Sequence, residues 1–202
     1  MYTSSSDTEV IQKRLDPDLI RVQNGAQQNR MVINEGKTKC MTLGTSQKLH
    51  KLGNTELSRT RNNHFLENVK HEKLVGVSVD NNLQWDDHID KLYKTLSSKI
   101  ALFSRIKKYL PTECSQSILQ SYILPAMHYC LTVWGKCAKS QLDRIYKLHK
   151  CIILDASIDH PLKALFTELK WFTVNERMDF HKAVLVFKCL HGTAPEYLKD
   201  LI

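Results

Sequence analysis

The stretch WDDHIDKLYKTLSSKIALFSRIKKYLP, Trp85 to Pro111, decides the fold class. Ile89, Leu92, Leu96, Ile100, Phe103, Ile106 and Leu110 recur at steps of three or four, the repeat of one helical face. Pro111 ends the pattern, because proline has no amide hydrogen and clashes with the preceding turn. The same texture continues downstream. Thr112 can cap a helix carrying Ile118, Leu119, Tyr122 and Ile123, which Pro125 must kink or break. The chain then runs through Met127, Leu131 and Trp134 to Gly135. Ser140 caps a further helix with Leu142, Ile145, Leu148 and Ile152. Pro161 opens a short helix ending near Trp171. Thr173-Val-Asn-Glu176 spells a capping box, and Gly192 stops the helix that follows, which carries Met178, Leu185 and Leu190. Residues 86–202 are therefore expected to form a helical bundle. Its shared core would hold Leu92, Leu96, Ile100, Phe103, Tyr122, Leu131, Trp134, Leu148 and Leu185.

Residues 1–85 read differently. Ser6 caps a short helix through Leu15, and Asp16-Pro17 starts a second one that weakens at Asn24-Gly25. Met31 to Asn34, a turn at Glu35-Gly36 and Lys39 to Leu43 read as a β-hairpin. The polar stretch 44–63 reads as a mobile loop. Lys73 to Asp80 reads as one strand, closed by Asn81-Asn82. The fold class is thus α+β, mostly α: a short hairpin-and-strand region over 1–85, then a helical bundle over 86–202. The first region should be the looser one, with unpaired strand edges.

At 202 residues, 42% of them hydrophobic and 25% charged, the chain can build one or two packed domains. Lys and Arg number 29 against 21 Asp and Glu, a net charge of +8 that suits a nucleic-acid partner. The N-terminus lacks the basic-then-apolar pattern of a signal peptide, and the longest apolar run, Ala183 to Phe187, falls far short of the ~20 residues of a membrane span. That pattern fits an intracellular chain, in cytoplasm or nucleus, neither secreted nor membrane-bound. The six cysteines form no Cys-x-x-Cys pair and read as free thiols. His128, Cys130, Cys137, His149 and Cys151 match no common structural zinc spacing. The chain has no glycine-rich phosphate loop and no histidine paired with a Ser or Cys nucleophile, so no cofactor is expected.

Charge is uneven along the helices. Lys91, Lys94, Lys99, Arg105, Lys107 and Lys108 lie between Lys91 and Leu110 with no acid among them. Lys136, Lys139, Arg144, Lys147 and Lys150 form a second cluster, offset by Asp143. Such faces either track a phosphate backbone or are simply solvated. Lys99 and Arg105 are ~120° apart on an ideal helix, so the six do not share one narrow stripe, and binding should be weak and non-specific. Tyr93 and Tyr109 either stack on nucleic acid or edge the core. Asp86-Asp87 are the adjacent aspartates of the chain, and an N-cap with a first-turn carboxylate accounts for them without a metal.

Four segments in order carry a resemblance: NRMVINEGKTK (Asn29–Lys39), KLVGVSVDNNLQW (Lys73–Trp85), SYILPAMHY with VWG (Ser121–Tyr129, Val133–Gly135) and FKCLHGTAPEYL (Phe187–Leu198). Together they resemble the C-terminal part, the end of the palm plus the thumb and following helices, of a non-LTR (LINE-type) retrotransposon reverse transcriptase. The resemblance implies a fragment of an RNA-directed DNA polymerase whose parent uses magnesium. It also implies that the catalytic aromatic-x-Asp-Asp turn lies before Met1, leaving the fragment inactive alone. Lys37 would then fall near the triphosphate site of the palm, although a solvated turn lysine beside Gly36 is the plainer reading. The implied partner is an RNA/DNA duplex or hybrid, held through Lys37, Lys91, Lys94, Lys99, Arg105, Lys107 and Lys108. The alternative is a free-standing helical nucleic-acid- or protein-binding module derived from such an element.

Overall fold

The computed structural model describes residues 3–5, 8–52, 60–61, 64–153 and 172–200. They divide into two units, Met1–Leu83 and Gln84–Ile202. The architecture is mostly helical with a few short strand pairs, an α+β class.

In the first unit, α1 (Thr8–Gln28) is a single helix with Pro17 inside it, where two helices were expected. Ile11, Leu15 and Leu19 are half-buried at steps of four across the proline. That continuous stripe outweighs one missing backbone hydrogen bond. The helix ends with Arg30 in the left-handed region, φ 55°, while Met31 N donates to Ala26 O at 2.8 Å. This is a Schellman-type stop that usually takes glycine.

The expected hairpin over 31–43 does not form. Val32 is 95% exposed, and Glu35–Lys37 is a 3-10 turn. Asn34 organises it: its Oδ1 accepts from Lys37 N at 3.1 Å, and its carbonyl accepts from Thr38 Oγ1 at 2.8 Å. A local side-chain bond of this kind competes with strand pairing. β1 (Lys39–Cys40) instead pairs in parallel with a distant segment, Glu67–Asn68. The described part of the stretch expected to be a mobile loop, 44–63, holds α2 (Ser46–Leu52) and β2 (Thr60–Arg61), which pairs antiparallel with β3 (His64–Phe65), while 53–59 and 62–63 lie outside the described residues. Glu67–Asn68 is β4. The strand expected over 73–80 is folded in half. β5 (His71–Leu74) and β6 (Val77–Asp80) form a hairpin around Val75-Gly76, with Leu74 opposite Val77. Val75 and Gly76 have φ of 47° and 83°. Two positive φ values make the turn that matches strand twist, and a β-branched residue there is strained.

In the second unit, α3 (Asp86–Lys107) buries Ile89, Leu96 and Phe103 and half-buries Leu92 and Ile100. Trp85, in the left-handed region, occupies the N-cap position, so Asp86 and Asp87 are both first-turn residues rather than cap and first turn. α4 (Thr112–Ile118) starts on Pro111 as its N-cap, not on Thr112. It continues through a π-turn, Leu119–Ile123, into α5 (Leu124–His128). The wider turn, in which Leu124 N donates to Leu119 O, sits just before Pro125. It absorbs the proline within a continuous helical path rather than breaking it. It also shifts the inward stripe to Leu119, Ile123, Leu124 and Met127, leaving Tyr122 outside the expected core at 55% exposed.

α6 (Leu131–Trp134) follows a sharp corner at Cys130, φ 51°. α7 (Lys139–Ile153) begins one residue before the expected cap, Ser140. The helix expected between Pro161 and Trp171 lies outside the described residues. α8 (Val174–Leu190) opens on the expected capping box: Thr173 Oγ1 accepts from Glu176 N, and Glu176 Oε2 accepts from Thr173 N at 2.8 Å. Gly192, φ 68°, stops it, and α9 (Glu196–Lys199) follows. α3 packs on α7, and α6 packs on α8. Leu185 is 43% exposed rather than in the core, because α8 carries apolar residues around its whole circumference and some must face outward. A Cβ added at Gly135 would meet the Leu131 carbonyl oxygen of its own preceding turn and, at 2.8 Å, Met178 Sδ of α8, so the backbone itself leaves little room for a side chain here.

Candidate nucleic-acid interface

The helical pair α3–α7 carries most of the two basic clusters, Lys91 to Lys108 and Lys136 to Lys150. Ile89, Leu96, Ile145 and Leu148 are buried, which leaves the polar faces of both helices outward. Two polar links tie the pair together. Asp86 Oδ1 accepts from Gln141 Nε2, and Arg144 pairs with Asp90 at 2.7 Å while lying 4.8 Å from the Tyr93 ring centroid. Asp90 and Arg144 are about half exposed, so this pair adds little net stability and mainly fixes geometry.

The structure sorts the expected contact residues into groups. On a continuous helix at ~100° per residue, Lys94 and Arg105 fall ~20° apart, with Lys91 and Lys108 flanking them inside a ~100° stripe. All four are exposed, as are Ser98, Ala101 and Leu102 between them. Two cationic pairs thus lie near the two ends of one solvent face, separated by an uncharged middle. Lys94 and Arg105 make no side-chain ion pair among the described residues. Lys108 Nζ lies 4.8 Å from the Tyr109 ring centroid, and that ring is 75% exposed.

Lys99 stands apart. Its Nζ donates to Tyr122 O at 3.0 Å and sits 3.8 Å from the Tyr122 ring centroid. It ties α3 to the π-turn. Lys107 is half-buried and lies off the stripe. Lys37 belongs to the other unit. It is exposed on the 3-10 turn, held by its backbone amide rather than its ammonium. In the second cluster, Lys136, Lys139 and Lys147 are exposed, whereas Arg144 is committed to Asp90 and Tyr93. Among the described residues, no group of three His, Cys, Asp or Glu side chains is placed to hold a metal ion. No helix of the described residues is long and apolar enough to cross a membrane.

Sequence reasoning missed the histidines. His88 is buried against Trp134, ring centroids 5.8 Å apart, and Trp134 Nε1 donates to Tyr129 O at 2.8 Å. Burial, then Lys91, pushes the His88 imidazole down. His128 is pushed down to about 4, first by burial, then by Arg177 and His181. Neither environment shows in the local sequence, since Trp134 beside His88, and Arg177 and His181 near His128, come from other helices. The consequence for pH follows from linkage. Below its ordinary value near 6.5 the unfolded His128 takes up a proton that the folded one refuses until about 4. The unfolded state then binds more protons, so stability is full above that ordinary value and falls as pH drops towards 4. The urea midpoint is expected to fall between pH 7.5 and pH 5, and His128→Gln should flatten that fall. An unchanged pH slope in the variant would remove His128 as its source.

Comparison with known proteins gives one alignment of note. A 76-residue stretch, 36% of this chain, is 30% identical to the RNA-directed DNA polymerase from mobile element jockey of Drosophila melanogaster. The stretch spans 8% of that protein's length. This similarity supports a reverse-transcriptase-related origin. No family model matches the chain, and no solved structure matches it.

Proposed function

We propose that the chain is part of an RNA-directed DNA polymerase of the non-LTR retrotransposon type, drawn from the end of its palm and its thumb. Its own contribution is contact with the nucleic-acid backbone inside the cell, not chemistry. The similarity to the jockey polymerase and the order of the four family-like segments support the origin. The observation that carries the role is the exposed stripe Lys91, Lys94, Arg105 and Lys108 along α3 and its C-cap. Cations in such a row neutralise phosphates and release counterions without reading bases.

Four phosphate contacts imply a slope of about −3.5 for log affinity against log salt on a duplex, with dissociation constants in the micromolar range or weaker. A salt titration against an RNA/DNA hybrid checks this. Arg105→Glu with Lys108→Glu should reduce the slope by about 2 and weaken binding at every salt concentration. Equal binding by the double variant at low salt would reduce the stripe to a solvated surface. A second reading, a free-standing module that binds protein, draws on a different observation: Phe187, Leu190 and Tyr197 are 58%, 61% and 65% exposed around the end of α8. A folded chain that ignores the hybrid but captures a defined protein partner would favour it.

A further inference from the structure

The α5–α6 corner and α8 line an open cleft that includes no residue of the basic stripe, and we propose that it binds one nucleotide unit, a base together with its phosphate. The cleft has a volume of about 390 Å³. That is within the range of small-ligand sites, roughly 300–1,000 Å³. Its floor is apolar, formed by Leu131 from α6 and by Leu185 from α8. Tyr129, 48% exposed as a residue, lines one side. The backbone there is fixed, because the Tyr129 carbonyl accepts from the indole of the fully buried Trp134.

The opposite side comes from α8. His181 and Lys188 are seven residues apart, so they fall on one helical face. Lys188 is exposed, and its ammonium takes no partner among the described residues. The Thr132 hydroxyl adds a neutral donor and acceptor, and the lining contains no carboxylate. His128 also borders the cleft and is neutral at pH 7, so it offers a hydrogen bond without a charge. An aromatic face, an apolar floor and a cation with no opposing acid select a ligand that is flat and apolar at one end and anionic at the other. A phosphate alone would leave the apolar floor wet, and a base alone would leave Lys188 unpaired. A nucleotide satisfies both ends.

The free mononucleotide and the terminal nucleotide of a strand share this chemistry. The test is calorimetric titration of the full chain with AMP, inorganic phosphate and a 5′-phosphorylated tetranucleotide. AMP is expected to bind roughly tenfold more tightly than phosphate, the increment of one stacked base. Lys188→Glu and Tyr129→Leu, both at exposed positions, should each weaken AMP roughly tenfold, with far-ultraviolet circular dichroism confirming that the fold is kept. In the Arg105→Glu, Lys108→Glu background, which weakens the α3 stripe, a tetranucleotide that binds more tightly than AMP identifies a strand end as the source. AMP binding as well or better identifies the free nucleotide. Equal affinity for AMP and phosphate, indifference to both variants, or no saturable binding of AMP and tetranucleotide would overturn the proposal. The outcome is separable from that of the α3 stripe, because Arg105→Glu with Lys108→Glu should leave AMP affinity unchanged.

Discussion

Trp134→Ala is expected to destabilise the helical unit by about 3–5 kcal/mol, most of what a domain of this size has to lose. Trp134 is fully buried in a core that also holds Ile89, Leu96, Ile123, Met127 and Leu131. Truncation removes that packing and leaves a cavity that the short α6 cannot close by sliding, since Gly135 already sits against Met178. It also strips the Tyr129 carbonyl of its donor and the His88 ring of its neighbour. Urea unfolding followed by far-ultraviolet circular dichroism measures the loss. Trp134→Phe separates the contributions: it keeps most of the apolar volume and forfeits the indole hydrogen bond, so about 1–3 kcal/mol should go. A loss below about 1 kcal/mol for the alanine variant would mean that this corner is not a folding element of the unit.

The second large effect concerns chemistry. Purified chain, magnesium and a primed RNA template are expected to give no primer extension above background. Two-metal polymerisation needs carboxylates that converge on a pair of ions, so that attacking and leaving oxygens are both stabilised. Asp86 and Asp87 are consecutive residues of a helical first turn and diverge by ~100°. Asp86 is further committed to the Gln141 amide across α3 and α7. Asp86→Asn should therefore alter the α3–α7 contact and leave the extension assay at background. Extension by the parent chain that disappears in Asp86→Asn would overturn both the role of this aspartate and the proposal that the chain supplies contacts rather than catalysis.

Ambiguous local signals, together with one long-range pairing, explain what was hard to read in the first unit. The apolar alternation from Lys73 to Asp80 is as good for one strand as for two short ones, and a Val-Gly turn lacks the Asn-Gly signature of a tight hairpin. Met31-Val-Ile has strand-forming residues, yet Asn34 closes a local turn and Val32 stays in water. β1 finds its partner at Glu67–Asn68, a parallel pairing that no adjacent residue announces. Pro17 looked like a boundary because a local rule was applied where a half-buried stripe prevailed. In the helical unit the same rules did better, since periodicity and capping are local properties: α3 and the Thr173–Glu176 capping box stand where the pattern put them.

The candidate site divides along the same line. Its basic character was legible, because charge is a property of composition, and so was its place on one long helix, because a 3.6-residue repeat needs no partner to be seen. Which lysines face solvent was not legible. Lys99 and Arg105 are alike in sequence, yet one amine is taken up by the Tyr122 carbonyl and ring while the other guanidinium projects from an exposed position. The depressed His128, the corner at Cys130 and the cleft beside α8 likewise exist only once separate helices meet. Local periodicity sets which faces are apolar and which are charged. Only packing, by deciding which residues from distant segments share a neighbourhood, decides which of those charges are taken up by the fold and which stay exposed to solvent.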